Sequence, residues 1–133
     1  MYYLKKYENF CKALANLQDI KNYNEPFDNV TTTGLVALYG ICFEQSWKAM
    51  KEILEDQGYL EESLGSPRKV LQVAYRARMI NDEELWVNAL KARNNVAHAY
   101  NEAIALSIIQ EAQAVYLEMF EELKETLENN WVY

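Results

Sequence analysis

The stretch RNNVAHAY, residues 93–100, gathers an arginine, the only histidine of the chain and a tyrosine within one short segment. These residue types suit chemistry at a phosphodiester. Histidine passes a proton as general base or general acid near neutral pH. Arginine holds charged phosphoryl oxygens in a two-pronged fork. The metal-free reaction they fit is RNA cleavage, in which the 2′-hydroxyl attacks the adjacent phosphorus. Arg93 and His98 are the candidate catalytic pair, with Asn94 as the polar neighbour of the arginine. Positions five apart on an α-helix lie about 140° around its axis, so Arg93 and His98 of one chain do not share a stripe, whereas Asn94 and His98 do. A two-fold dimer through this region would bring two arginines and two histidines together. The plain alternative is structural: His98 near a helix C-terminus is stabilised by the dipole, Arg93 pairs with a glutamate, and Tyr100 packs.

Little else in the composition offers chemistry. One histidine and two scattered cysteines, Cys11 and Cys42, give no zinc or haem spacing, so no metal or cofactor is expected. The cysteines read as buried free thiols. A net charge of −7 counts against general nucleic-acid binding. The charge is unevenly spread, however. Residues 1–66 carry six Lys and ten acids, residues 67–100 carry six Lys/Arg and three acids, and residues 101–133 carry one Lys and seven Glu. The basic surplus therefore accompanies RNNVAHAY, and Arg68, Lys69, Arg76, Arg78 and Lys91 are expected either to surround a phosphate-binding groove or to solvate helix faces.

The elements that must position these residues are helical. Gly 4 and Pro 2 are low counts, and both residues punctuate strands and turns. Tyr3, Tyr7, Phe10, Leu14 and Leu17 form one stripe of a helix over about 2–22. NYNEPFDN, 22–29, is a loop. A second helix over about 31–57 is capped by Asn29 or one of the threonines 31–33 and ends before Gly58. It is apolar around much of its first half, which predicts contact on more than one side. YLEESLGS, 59–66, is a loop. Ser66-Pro67 starts a third helix, over about 67–78. Asp82 caps a fourth, reaching about 97. A fifth runs over about 102–129 with Ile104, Ile108, Ala112, Val115, Met119, Leu123 and Leu127 as its stripe. RNNVAHAY falls where the fourth helix ends and the fifth begins. The fold expected is a single all-α domain over 1–133, an antiparallel up-and-down helical bundle with four long helices and one short, assembled as a homodimer. No apolar run approaches the ~18 residues of a membrane span, and the N-terminus lacks a secretory core, so the chain reads as cytoplasmic. Trp47, Trp86 and Trp131 read as core or interface residues. The tyrosines outside RNNVAHAY have no motif around them.

Three stretches carry a family resemblance. FEQSWKAMKEILEDQG, 43–58, resembles an F-E-x-x-W-K-x-x-K-x-x-L-x-x-x-G helix. SPRKVLQVAYRARMINDEELWVNAL, 66–90, resembles an S-P-R-x-V stretch followed by an I-x-D-x-E-x-W helix. RNNVAHAYNE, 93–102, resembles an R-N-x-x-x-H-x-Y signature. Together they resemble the HEPN superfamily, in its subgroup of nucleotidyltransferase substrate-binding proteins. The resemblance implies a dimeric helical bundle that partners a minimal nucleotidyltransferase. It implies an endoribonuclease site across the dimer at Arg93 and His98, with Asn94. It also implies that Tyr100 is the acceptor of AMP from the nucleotidyltransferase antitoxin. The chain departs from the pattern at Ala97 and Ala99, where small hydroxyl residues are common, and at Asn101, where aspartate is common. Glu44, acidic within a mostly apolar helix, must reach solvent or pair, and orienting Arg93 is one use for it. Three readings stand: a ribonuclease toxin, a non-catalytic subunit that presents a nucleotide or substrate to the nucleotidyltransferase, and a helical dimer without activity.

Overall fold

The computed structural model describes residues 4–59 and 65–132. Helix α1 is Lys5–Leu17 and continues as a 3-10 turn over Gln18–Asn22; α2 is Asn29–Asp56; α3 is Pro67–Arg76; α4 is Glu83–Asn94 and runs into a 3-10 turn over Asn95–His98; α5 is Glu102–Glu111; and a π turn over Ala112–Tyr116 joins it to α6, Leu117–Asn130. Among the described residues there is no strand, and the architecture is the expected all-α bundle.

Local chemistry sets most of the helix ends. The Ser66 hydroxyl accepts the Lys69 N–H with Pro67 in the first turn of α3, and Asp82 accepts the Leu85 N–H at the start of α4. The start of α2 differs from expectation. Asp28, rather than Asn29 or a threonine, accepts the Thr31 N–H at 2.7 Å, because the helix begins two residues earlier than the apolar pattern does. Thr32 and Thr33 instead turn their hydroxyls back onto the carbonyls of Asp28 and Asn29. The first turn of α1 has no capping side chain of its own; Glu52, across on α2, accepts the N–H groups of Lys6 and Tyr7. The predicted 59–66 loop and Tyr3 of the first stripe fall largely or wholly outside the described residues.

The fifth predicted helix is interrupted. Its π turn takes one wider step, and Val115, expected in the stripe, is exposed while Tyr116 is buried. A π turn adds a residue to the local ladder and shifts the phase of the helix beyond it. From the π turn onward Ala112, Tyr116, Leu117, Met119, Phe120, Leu123 and Leu127 are buried. The third helix is the short one, with 10 residues; α4 has 12 and continues through its 3-10 turn to His98.

The core centres on Phe120 of α6. Its ring lies 6.4 Å from Phe10 of α1, 6.1 Å and 6.5 Å from Tyr39 and Phe43 of α2, and 5.6 Å from Trp86 of α4, mostly edge to face. One fully buried ring thus joins four helices, in the offset and T-shaped geometries that the aromatic quadrupole favours. Trp47, Trp86 and Trp131 are all buried, Cys42 is buried, and neither described cysteine is in a disulfide. Among the described residues no helix is long and apolar enough to cross a membrane.

Because Phe120 is a shared contact, its removal leaves a cavity that no single helix can close. Phe120→Ala is expected to destabilise the fold by about 3–5 kcal/mol, read from urea unfolding. A loss under about 1 kcal/mol would show that the four helices are held together elsewhere.

Candidate functional site

Arg93 lies in the last turn of α4, half-buried against α2. Its Nη2 donates to Oε2 of Glu44 in a close ion pair, and its Nη1 donates to the side-chain oxygen of Asn94 at 3.2 Å. The helix that carries it is pinned one turn earlier. The hydroxyl of fully buried Tyr39, on α2, donates to the Ala89 carbonyl at 2.5 Å. Past Arg93, Val96 of the 3-10 turn sits over Gly40: a Cβ at that glycine would lie 3.6 Å from a Val96 methyl. Tyr39, Gly40 and Glu44 of α2 therefore meet Ala89, Val96 and Arg93 in turn, fixing where α4 ends.

Glu44 serves several cations and donors. Besides Arg93, its carboxylate takes Lys48 Nζ at 3.5 Å. Partial burial pushes the Glu44 carboxyl up, but the Trp47 indole N–H, the Arg93 charge and Lys48 outweigh that and hold it below the ordinary carboxylate range. The buried Trp47 Nε1 leans toward this carboxylate without reaching hydrogen-bond geometry, and has no other partner among the described residues.

His98 and Tyr100 are treated differently. His98 ends the 3-10 turn with its ring exposed and, among the described residues, without a side-chain hydrogen bond. Tyr100 is 89% exposed, and its hydroxyl has no partner among the described residues. Within this chain the Tyr100 ring is not packed. Among the described residues no hydrogen bond joins Arg93 to His98, in keeping with their offset around the helix. Asn94 is exposed and contacts Arg93. Asn101 has a structural use, its side chain accepting the Ile104 N–H at 3.2 Å to cap α5. Beside Tyr100 a groove of about 700 Å³ runs between this corner and the first half of α2, lined by Thr33, Val36, Ala37, Val96 and Ala99 among others.

The basic segment is divided between two elements. Lys91 lines a separate groove of about 470 Å³ between α4 and α5, with Asn88, Asn95 and Ser107. Arg68, Lys69, Arg76 and Arg78 are exposed on or just beyond α3. Among the described residues no group of three or more His, Cys, Asp or Glu is placed to hold a metal ion. Sequence reasoning named Glu44 but missed Trp47, Tyr39 and Gly40 as its supports; the four-residue spacing of Gly40, Glu44 and Lys48 was the available signal.

The family described as "Nucleotidyltransferase substrate binding protein like" matches residues 5–129. The chain belongs to that family. No curated relative matches it. Solved structures resemble it over nearly its whole length. A Thermus thermophilus protein is 26% identical, with a TM-score of 0.71 over 90% of this chain and 95% of that one. A Haemophilus influenzae protein, whose structure is described as revealing the fold of a substrate-binding domain of a nucleotidyltransferase, is 19% identical with a TM-score of 0.69, over 93% and 95%. A chain from a toxin–antitoxin structure with AMP-PNP is 15% identical with a TM-score of 0.63, over 96% and 99%. The last two likenesses are of fold.

The Glu44–Arg93 pair has a pH signature. A carboxyl whose folded pKa is depressed contributes stability above its unfolded value, about 4.3 for Glu, and loses it as pH falls through the folded value. The two side chains are 28% and 30% exposed, so the effect is modest, about 1 kcal/mol. Urea unfolding is expected to show wild type losing more stability than Glu44→Gln between about pH 5 and about pH 3. Parallel losses would mean that the pair contributes nothing to the fold.

Proposed function

We propose that this family member is a HEPN-type toxin, a metal-independent endoribonuclease that works as a homodimer and is silenced by a partner nucleotidyltransferase. The observation that carries the reading is the contrast within one corner: Arg93 is fixed and half-buried, while His98 and Tyr100 are exposed and, among the described residues, unpartnered. A fixed guanidinium suits electrostatic stabilisation, and a free imidazole suits proton transfer.

In this mechanism His98 takes the proton of the RNA 2′-hydroxyl as O2′ bonds to phosphorus. Arg93 stabilises the charge on the pentacovalent oxygens. The P–O5′ bond breaks, the leaving O5′ gains a proton from the His98 of a second copy, and the product is a 2′,3′-cyclic phosphate. An exposed apolar stripe on α2 supports contact with a second copy: Val30 (81% exposed), Gly34, Ala37 and Ile41 (55%) recur at steps of four, three and four. Ala37 also lines the groove that holds Tyr100, so a two-fold contact along this stripe brings the two copies of 93–100 near each other. Such a face on a lone chain is an exposed apolar patch in search of a partner.

Tyr100 is the regulatory residue in this reading. Its hydroxyl attacks the α-phosphorus of ATP on the nucleotidyltransferase, pyrophosphate leaves, and the phenolic proton passes to solvent or to a base of that enzyme. The attached phosphodiester adds a negative charge beside Arg93, and the nucleoside crowds the groove.

A second reading has its own observation. Glu44 already neutralises Arg93, which weakens the arginine's attraction for a phosphate and favours a non-catalytic subunit that presents a nucleotide or substrate to the nucleotidyltransferase. Cleavage decides between them. His98→Ala and Arg93→Ala are expected to lower the rate by ~10²–10⁴-fold in dimers that remain folded, with wild-type cleavage persisting in chelator. No cleavage by pure wild-type dimer, or full cleavage by His98→Ala, would transfer the conclusion to the presenting subunit. For regulation, incubation with the partner enzyme, ATP and Mg²⁺ is expected to add one or more AMP units at Tyr100 and to stop cleavage; modification elsewhere, or none, would remove Tyr100 from the mechanism.

A further inference from the structure

We infer that the outer face of α3 is a docking platform for single-stranded RNA, separate from the Arg93–His98 corner; this deepens the ribonuclease reading and rests on it for the identity of the substrate. Val70, Leu71 and Ala74 bury one side of α3. The opposite side presents Arg68, Lys69, Tyr75 and Arg76, all exposed, and Arg78 follows the helix end, also exposed. Among the described residues none of these four cations makes a side-chain ion pair or hydrogen bond, although the chain carries 20 acidic residues against 13 basic ones. By contrast, Lys12, Lys21, Lys48, Lys51, Lys124 and Arg93 are all ion-paired. Of the seven cations without a side-chain partner among the described residues, three lie on α3 and a fourth, Arg78, just beyond it.

Two further features separate this face from ordinary solvation. The first is Tyr75, 45% exposed among the arginines. A positively charged track with an aromatic ring on which a base can stack is the common construction of single-strand binding surfaces. An acidic protein partner would use the charges but has no need of an open ring. The second is the backbone of Arg78. Helices α2 and α3 end in the same turn: Gly58 and Arg78 each hold the left-handed position, at φ 77° and 63°. In the two turns Tyr59 N–H reaches the Leu54 carbonyl and Met79 N–H reaches the Ala74 carbonyl, both at 2.9 Å. Glycine occupies that position without strain, whereas a residue with a Cβ does not. An arginine there costs stability, and among the described residues its side chain makes no ion pair or hydrogen bond that would offset it; on the platform its charge serves the bound strand.

The platform adjoins the catalytic corner. The six residues 77–82 join α3 to α4, and so short a connection makes the two packed helices antiparallel. Arg68 and Lys69, at the start of α3, therefore stand at the same end of the hairpin as Arg93, at the close of α4. A strand seated along Arg78, Arg76, Tyr75 and Arg68 runs toward Arg93.

The test uses the full chain and a fluorescein-labelled RNA 12-mer with 2′-O-methyl groups throughout, which binds but lacks the attacking hydroxyl. Anisotropy is followed across a series of KCl concentrations. Arg68→Gln/Arg76→Gln is expected to weaken binding at least tenfold at low salt and to reduce the log–log salt slope by about 1.4, from roughly 0.7 per phosphate contact on a single strand. Tyr75→Ala is expected to weaken binding about tenfold without changing the slope. Arg78→Gly is expected to raise the melting temperature while weakening RNA binding and lowering the slope by about 0.7, a pairing that a purely structural residue would not give. Wild-type affinity and slope in all three variants would overturn the platform, as would equal competition by oligoglutamate of the same charge, which would assign the face to an acidic protein. The outcomes remain separable from those of the ribonuclease reading. Arginine-dependent binding by a protein that never cleaves RNA would keep the platform and end the ribonuclease reading; unchanged binding by variants of an active ribonuclease would do the reverse.

Discussion

The ion pair between Glu44 and Arg93 is the constraint on which the candidate site depends. It is the contact by which the middle of α2 fixes the end of α4, and the corner beyond is built outward from it. Tyr39 and Gly40, on the preceding turn of α2, hold Ala89 and Val96 on either side of the arginine. Three contacts on one helix thus determine where α4 stops, and so where the 3-10 turn presents His98. The guanidinium is held at two of its nitrogens, Nη2 on Glu44 and Nη1 on Asn94, which restricts its rotation.

The same pair explains the uneven state of the corner. Arg93 has its charge largely answered, while His98 and Tyr100 face solvent with no partner among the described residues. Electrostatic stabilisation of a phosphate must then compete with Glu44, which is easier where a second arginine contributes. The exposed apolar stripe of α2 gives a physical reason for two copies to meet on this side. Site and assembly are in that sense one problem: the face that needs covering borders the residues that need company.

Much of this was legible in the sequence because it follows from local rules. Ser66-Pro67, Asp82 and Gly58 announce helix ends through capping and left-handed turns, and the apolar stripes of α1 and α4 follow the helical period. Glu44 was legible as an acid that had to pair. What escaped notice depends on three-dimensional neighbours. The π turn at Ala112–Tyr116 has no signature in the apolar period, since Val115 and Tyr116 are both suitable core residues and only packing against Tyr39 chooses the latter. Asp28 lies before the apolar pattern begins, so the cap of α2 was misplaced. Tyr75 had no motif around it and gains meaning only from the helix face it shares with unpaired arginines. The basic surplus of 67–100 was visible, but not its division between α3 and the α4–α5 groove.

The chain contains a single histidine, so the imidazole of His98 can be followed by NMR without assignment ambiguity. The measurement that bears most directly on the central claim is the response of those ring resonances to a 2′-O-methyl RNA dinucleotide. If Arg93 seats the phosphate next to His98, the resonances move saturably on addition of the dinucleotide to wild type and stay in place in Arg93→Ala. Resonances that ignore the dinucleotide in the wild-type protein, or that respond equally without Arg93, would contradict it.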